Sequence, residues 1–192
     1  MTYANLCALG AELLLKARAT ALALSLMSLI FLPRASWAFT IGVQVFANPG
    51  PALPCRGLST VKGFENQIVV RSLSDATSRR FDPATGRLRT TPATAAPFTI
   101  VKNFDGCTPF LFLALVQGTP LPTVTFSFVA DDAGTTVKFF EIELQNAHVI
   151  SMQSMFSSEP LEEVSFVFET MKLTDITSKQ SVTCDFVQDI CR

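Results

Sequence analysis

Residues 108–128 read TPFLFLALVQGTPLPTVTFSF, and the periodicity changes midway through them. The end signals of the first half mark a helix. Thr108 is placed to cap the free N–H groups of a first turn, and Pro109 sits where a missing N–H costs nothing. Gly118 is placed to close the helix in the left-handed conformation. Between these ends, Phe110 through Val116 are apolar without a break. A helix on the surface of a domain needs a polar face, because a turn of about 100° per residue spreads consecutive side chains around the axis. This helix has none, so it is expected to be covered on two sides, by its own sheet and by a second body. The other reading is a core helix wrapped wholly by its own chain. After Gly118 the period falls to two. Val124, Phe126 and Phe128 alternate with Thr123, Thr125 and Ser127, the pattern of a strand that buries one face.

The same alternation recurs on both sides of this stretch. Phe140, Ile142 and Leu144 alternate with Glu141 and Glu143; Val164, Phe166 and Phe168 flank Ser165; Val182, Cys184 and Phe186 flank Thr183 and Asp185. Residues 39–47 and 67–73 are earlier strand candidates. Turn signals such as Asp131-Asp132-Ala133-Gly134 separate short strands, which points to an all-β sandwich or small barrel. Two segments interrupt the pattern. Asn48 to Leu58 is stiffened by three prolines, and Ser78 to Pro97 carries Arg79, Arg80, Arg87 and Arg89. A segment as long as the second is usually functional or disordered within a compact domain.

The mean hydropathy of +0.36 is high for a soluble protein, and the N-terminus supplies part of it. Lys16 and Arg18 precede an unbroken run of apolar and small residues from Ala19 to Leu32. Pro33 then breaks the run, and Ser36-Trp37-Ala38 offers small residues where a signal peptidase reads. The run is shorter than the roughly 20 residues a membrane-spanning helix needs. Residues 1–38 are therefore expected to be a secretory signal, and residues 39–192 a single domain in the periplasm or outside the cell. Loss of Lys16, Arg18, Arg34 and Glu12 with the signal leaves 12 basic and 15 acidic side chains. That balance gives no reason to expect nucleic acid or an anionic membrane surface as partner. Four cysteines remain after export: Cys55, Cys107, Cys184 and Cys191. In an oxidising compartment they permit two disulfides in three connectivities; a bridge from Cys184 to Cys191, or from this tail to Cys55 or Cys107, would tie down the chain end. No pair has the spacing of a zinc or redox site.

Groups for catalysis are scarce. His148 is the only histidine, it lies in a strand-like segment, and no nucleophile motif accompanies it. Carboxylates pair at Glu141/Glu143 and Glu162/Glu163, and a solvated strand face produces the first spacing as readily as a glycosidase does. No phosphate-binding glycine loop and no basic patch interleaved with aromatics is present. The chain is expected not to be an enzyme and to carry no cofactor or metal.

From Pro97 to Leu173 the residues resemble the Hcp family, the tube subunits of bacterial type VI secretion systems. That family carries a lysine, an aspartate and a Ser/Thr-Pro opening a helix that ends in glycine, matched here by Lys102, Asp105, Thr108-Pro109, Leu111, Ala114, Leu115 and Gly118. Its following strands are matched by Leu121 to Phe126, Phe139 to Leu144 and Leu161 to Phe166. The resemblance implies a two-sheet, barrel-like β-sandwich with one short α-helix. It also implies six subunits closing a ring around a lumen, rings stacking into a tube, and an effector or spike protein as further partner. Arg79, Arg80, Arg87 and Arg89 then fall in the loop that meets the neighbouring ring, while Phe110, Leu113 and Gln117, at helix positions usually polar or charged in the family, are expected on the outer side of the helix against a neighbouring subunit. A signal sequence and four mature cysteines depart from the family pattern. A secreted monomeric or small-oligomer binding module on the same fold is the alternative reading, and a secreted hydrolase the third.

Overall fold

In a computed structural model, residues 43–88, 93–132, 135–156 and 158–192 are described. The expected signal sequence, Arg89 and the 133–134 turn lie outside the described residues. The first strand, β1, is described over Val43–Asn48, and β2 over Ile68–Ser74. Four two-residue strands follow: β3 Thr77–Ser78, β4 Phe81–Asp82, β5 Arg87–Leu88 and β6 Thr94–Ala95. Next come β7 (Phe98–Asn103), helix α1 (Thr108–Gln117), β8 (Leu121–Asp132) and β9 (Thr135–Met155). The chain ends with β10 (Leu161–Val167), β11 (Thr170–Asp175), β12 (Gln180–Asp185) and β13 (Ile190–Cys191).

Six strands close on themselves in the order β10-β7-β2-β1-β8-β9, because β9 pairs back onto β10. Closure removes sheet edges that would otherwise invite pairing with other chains. Strand β9 makes this possible by its length. One of its edges pairs with β8, and the other is shared, Phe140 to Gln145 with β11 and His148 to Met155 with β10. Strands β11, β12 and β13 continue the ladder outside the barrel. The two faces of the expected sandwich are thus joined in one continuous, mainly β structure with one short helix.

The period-two readings place the core. Strands β7 and β10 alternate strictly, with Phe98, Ile100, Val164 and Phe166 buried between half-exposed neighbours. Phe166 lies opposite Phe98, and Val164 opposite Ile100. Phe126 of β8 fills the centre, with its ring centroid 4.5 Å from that of Phe98 and edge-on to Phe166 at 6.4 Å. Strand β12 behaves differently. Val182 is exposed, since this strand lies in the extension and not in the barrel wall.

The arginine-bearing segment from Ser78 to Pro97 has structure of its own. Strand β3 pairs with β6, and β4 with β5, so the described parts of the segment form a narrow β arm that turns at residues 83–86. It leaves at the start of β7, whereas α1 follows the end of β7. The five steps between Phe98 and Asn103 separate the two features by roughly 17 Å.

Candidate functional site

The helix is held down by a polar cluster that occupies core positions. Lys102 continues the inward face of Phe98 and Ile100, and Glu162 continues that of Val164 and Phe166. The register sets Glu162 opposite Lys102, so the third inward rung is an ion pair. Both side chains are fully buried, with Lys102 Nζ 2.5 Å from Glu162 Oε1. The ammonium also lies 2.9 Å from Asp105 Oδ1 and donates to the Asn103 carbonyl at 2.9 Å. Thr108 Oγ1 donates to Glu162 Oε1 at 2.7 Å and accepts from the Asp105 N–H at 3.1 Å. A buried charge needs this density of partners to offset its lost hydration. Glu162 Oε2 remains buried with no hydrogen-bond partner among the described residues.

This geometry corrects the expected role of Thr108. The N-cap is Cys107, without a side-chain cap bond, and Thr108 is the first helical residue. Its hydroxyl joins helix to strand instead, and the Cys107 N–H is met by Asp105 Oδ1 at 2.8 Å. The other end follows the sequence reading. Gly118 is left-handed at φ 65°, and the N–H groups of Gly118 and Thr119 close onto the Leu115 and Ala114 carbonyls. Next to the helix start, Cys107 is bonded to Cys55, which fastens the proline-rich segment there. Gly106 permits the approach, since a β-carbon on it would stand 2.6 Å from the Arg56 carbonyl oxygen.

Leu111 and Ala114 face inward and are buried, and Phe110 and Leu115 are half-buried against the same core. Phe112, Leu113 and Val116 face outward, exposed by 58%, 49% and 67%. Helical neighbours at three and four positions share a face, which groups Phe112, Leu113 and Val116 together and sets them apart from Leu111 and Ala114. Of the outward residues expected from the sequence, Leu113 and Gln117 are exposed, but Phe110 turns toward the core. Phe112 and Val116 take its place. The first turn has no acidic residue and the last no basic one, so the helix carries no charge on this outer face.

The arm presents its cations separately. Arg79, Arg80 and Arg87 are exposed, and Arg79 has a charged partner among the described residues: its Nη2 donates to both carboxylate oxygens of Asp189, at 2.8 and 2.9 Å. The arm and the helix face are therefore distinct features, not one cluster.

Three of the four paired carboxylates are engaged by neighbouring side chains. Glu141 is paired with Lys138 at 2.6 Å, Glu143 accepts from the Gln145 side chain, and Glu162 is committed to the helix seat. Half-buried His148 lies opposite Val167 in the β9–β10 ladder. Among the described residues no group of three His, Cys, Asp or Glu side chains is arranged to hold a metal, and no helix is long and apolar enough to cross a membrane.

Against known families, residues 46–174 match the model described as type VI secretion system effector, Hcp. The chain belongs to the Hcp family. The match spans β1 through β11, the barrel, the helix seat and the arm. Solved Hcp structures share the fold. Hcp1 from E. coli EAEC 042, in a form carrying two mutations, is 23% identical over 76% of this chain and 99% of its own, with a TM-score of 0.66. A structure described as a type six secretion system protein is 18% identical, covers 79% and 100% and has a TM-score of 0.67. Hcp1 from Salmonella typhimurium is 14% identical over 79% and 100%, with a TM-score of 0.65. Sequence comparison with curated proteins yielded no match. Lys102, Asp105 and Thr108, on which the sequence resemblance rests, and Glu162 on the facing strand form the buried cluster that seats the helix.

Proposed function

We propose that the chain is an exported, non-enzymatic tube subunit: residues 1–38 direct secretion, and the mature domain closes into a six-membered ring that stacks through its arms. The observation that carries this reading is the outer face of α1. Phe112, Leu113 and Val116 form a contiguous apolar surface of a kind that soluble monomers rarely leave in water. A second copy of the chain is its occupant. The helix face of one subunit meets a different surface on the next, and such a head-to-tail contact closes into a ring when the rotation between subunits divides a full turn. Membership in the Hcp family supports that geometry. The disulfides Cys55–Cys107 and Cys184–Cys191 support passage through an oxidising compartment.

The test is Phe112→Lys with Leu113→Lys in the mature chain. Light scattering should report conversion of a ring to monomers, while the far-ultraviolet circular dichroism spectrum stays β-rich. A secreted monomeric module would give the protomer mass for both the parent and the variant, and that result would reject the ring.

A further inference from the structure

The base of the arm and the C-terminal hairpin meet at Asp189. Asp189 lies in the turn between β12 and β13 and is left-handed at φ 53°. Its carboxylate accepts two hydrogen bonds from Arg79 and one, at 3.2 Å, from the Ala93 N–H. Arg79 is where the arm leaves the domain and Ala93 is where it returns, so one carboxylate grips both legs. Beside this grip is a cavity of about 270 Å³, with Ala93, Thr94 and Ala95 on one wall and Val167, Phe168 and Phe186 on the other. The hydrogen bonds from Arg79 and Ala93 to Asp189 form a polar tie beside this space.

The position of Asp189 depends on how the hairpin is closed. Strand β13 has only two residues, and the two ladder pairs are Cys184 with Cys191 and Asp185 with Ile190. Two backbone hydrogen bonds between Thr183 and Arg192, at 2.8 and 2.9 Å, add to these. So short a hairpin is marginal by itself. The Cys184–Cys191 disulfide closes it covalently, and the family match stops before it, at residue 174.

We propose that the disulfide hairpin is an oxidation-dependent strut for the arm. With Cys184 and Cys191 as thiols, the turn opens and Asp189 no longer holds the two legs together. On oxidation the two thiols lose two electrons and two protons to a disulfide oxidant, which is reduced to two thiols, and the arm is fixed in one pose. The arm is then ordered for stacking only in an oxidising compartment. This role for stacking rests on the ring reading above, but the coupling of hairpin to arm does not.

The test compares the mature chain with two variants: Asp189→Asn, which suits the left-handed backbone, and the double variant Cys184→Ser/Cys191→Ser. Amide exchange at Ala93 and trypsin cleavage after Arg87 report the arm. Both variants should speed exchange and cleavage about fivefold, the scale of losing a partly exposed charge pair. Cys55→Ser/Cys107→Ser removes the other bridge, and if it folds it should leave both rates within about twofold of the parent, because that bridge does not touch the arm. Unchanged rates in Asp189→Asn would overturn the grip. Faster rates there, with unchanged rates in a folded Cys184→Ser/Cys191→Ser variant, would overturn the oxidation dependence. If the serine variant does not fold, the parent protein is compared before and after selective reduction of Cys184–Cys191, verified by mass spectrometry, and unchanged rates again overturn it. These rates are read on ring or monomer alike, so failure of the ring leaves the strut test intact.

Discussion

Replacing Lys102 with methionine tests the helix seat most severely. The ammonium has three hydrogens and donates to three acceptors, Glu162 Oε1, the Asn103 carbonyl and Thr108 Oγ1, while Asp105 Oδ1 adds an ion pair at 2.9 Å. Methionine keeps the volume and removes all three bonds. Asp105 would keep the Cys107 N–H and Glu162 would keep the Thr108 hydroxyl, but two buried carboxylates would face each other without a cation. Breaking a buried pair by removing one partner costs about 3–5 kcal/mol. For a domain of this size, that should lower Tm by roughly 6–20 °C. Glu162→Gln is the calibrating variant. It removes one negative charge and keeps an acceptor for Lys102 and Thr108, but sets an amide where the unpartnered Oε2 lies. Its cost should be smaller, about 1–3 kcal/mol for a buried polar group left unsatisfied. Urea and thermal unfolding followed by circular dichroism measure both. A loss of less than about 1 kcal/mol in Lys102→Met, or a greater loss in Glu162→Gln than in Lys102→Met, would refute this role for the ammonium.

The two disulfides should differ in weight. Chain entropy assigns about 4 kcal/mol to Cys55–Cys107, which spans 52 residues, and about 2 kcal/mol to Cys184–Cys191, which spans 7; unfolding of the paired serine variants checks the order. The Asp175 carboxyl is held below the usual carboxylate range, chiefly by the Ser178 hydroxyl and also by the Ser178 and Thr177 N–H groups. Its folded pKa lies under its unfolded one, so its stabilisation is present above the unfolded value and is lost as pH falls through the folded one. An NMR titration should show the Asp175 pKa rising in Ser178→Ala; no change would remove the hydroxyl as the cause. Protein exported through the general secretory pathway should begin at Phe39, and recovery of chains still carrying Met1 would contradict the signal reading.

The barrel was legible because its strands alternate so regularly. Val124 and Phe126, Ile142 and Leu144, and Val164 and Phe166 all proved to be inward pairs. The same alternation carries Glu162 inward with Val164, yet a carboxylate beside Glu163 reads as surface until Lys102 is known to stand opposite it. Cross-strand register is set by distant chain segments, and local sequence holds little of it. On the helix, uniform hydrophobicity hid the direction of the inner face. Leu111 and Ala114 mark it only once the seat at Lys102 and Thr108 fixes the rotation, which is why Phe110 turns inward and Phe112 outward. The grip of Asp189 on the arm joins residues 110 positions apart through exposed loops, and neither periodicity nor motif carries such a contact.

The central claim is that the mature domain is one subunit of a closed ring. Light scattering on residues 39–192, purified with both disulfides formed and held at tens of micromolar (near the range of weak interfaces), measures it directly. A mass six times that of the protomer is the expected result. A single protomer mass under those conditions would contradict the claim and leave the outer face of α1 without its proposed partner.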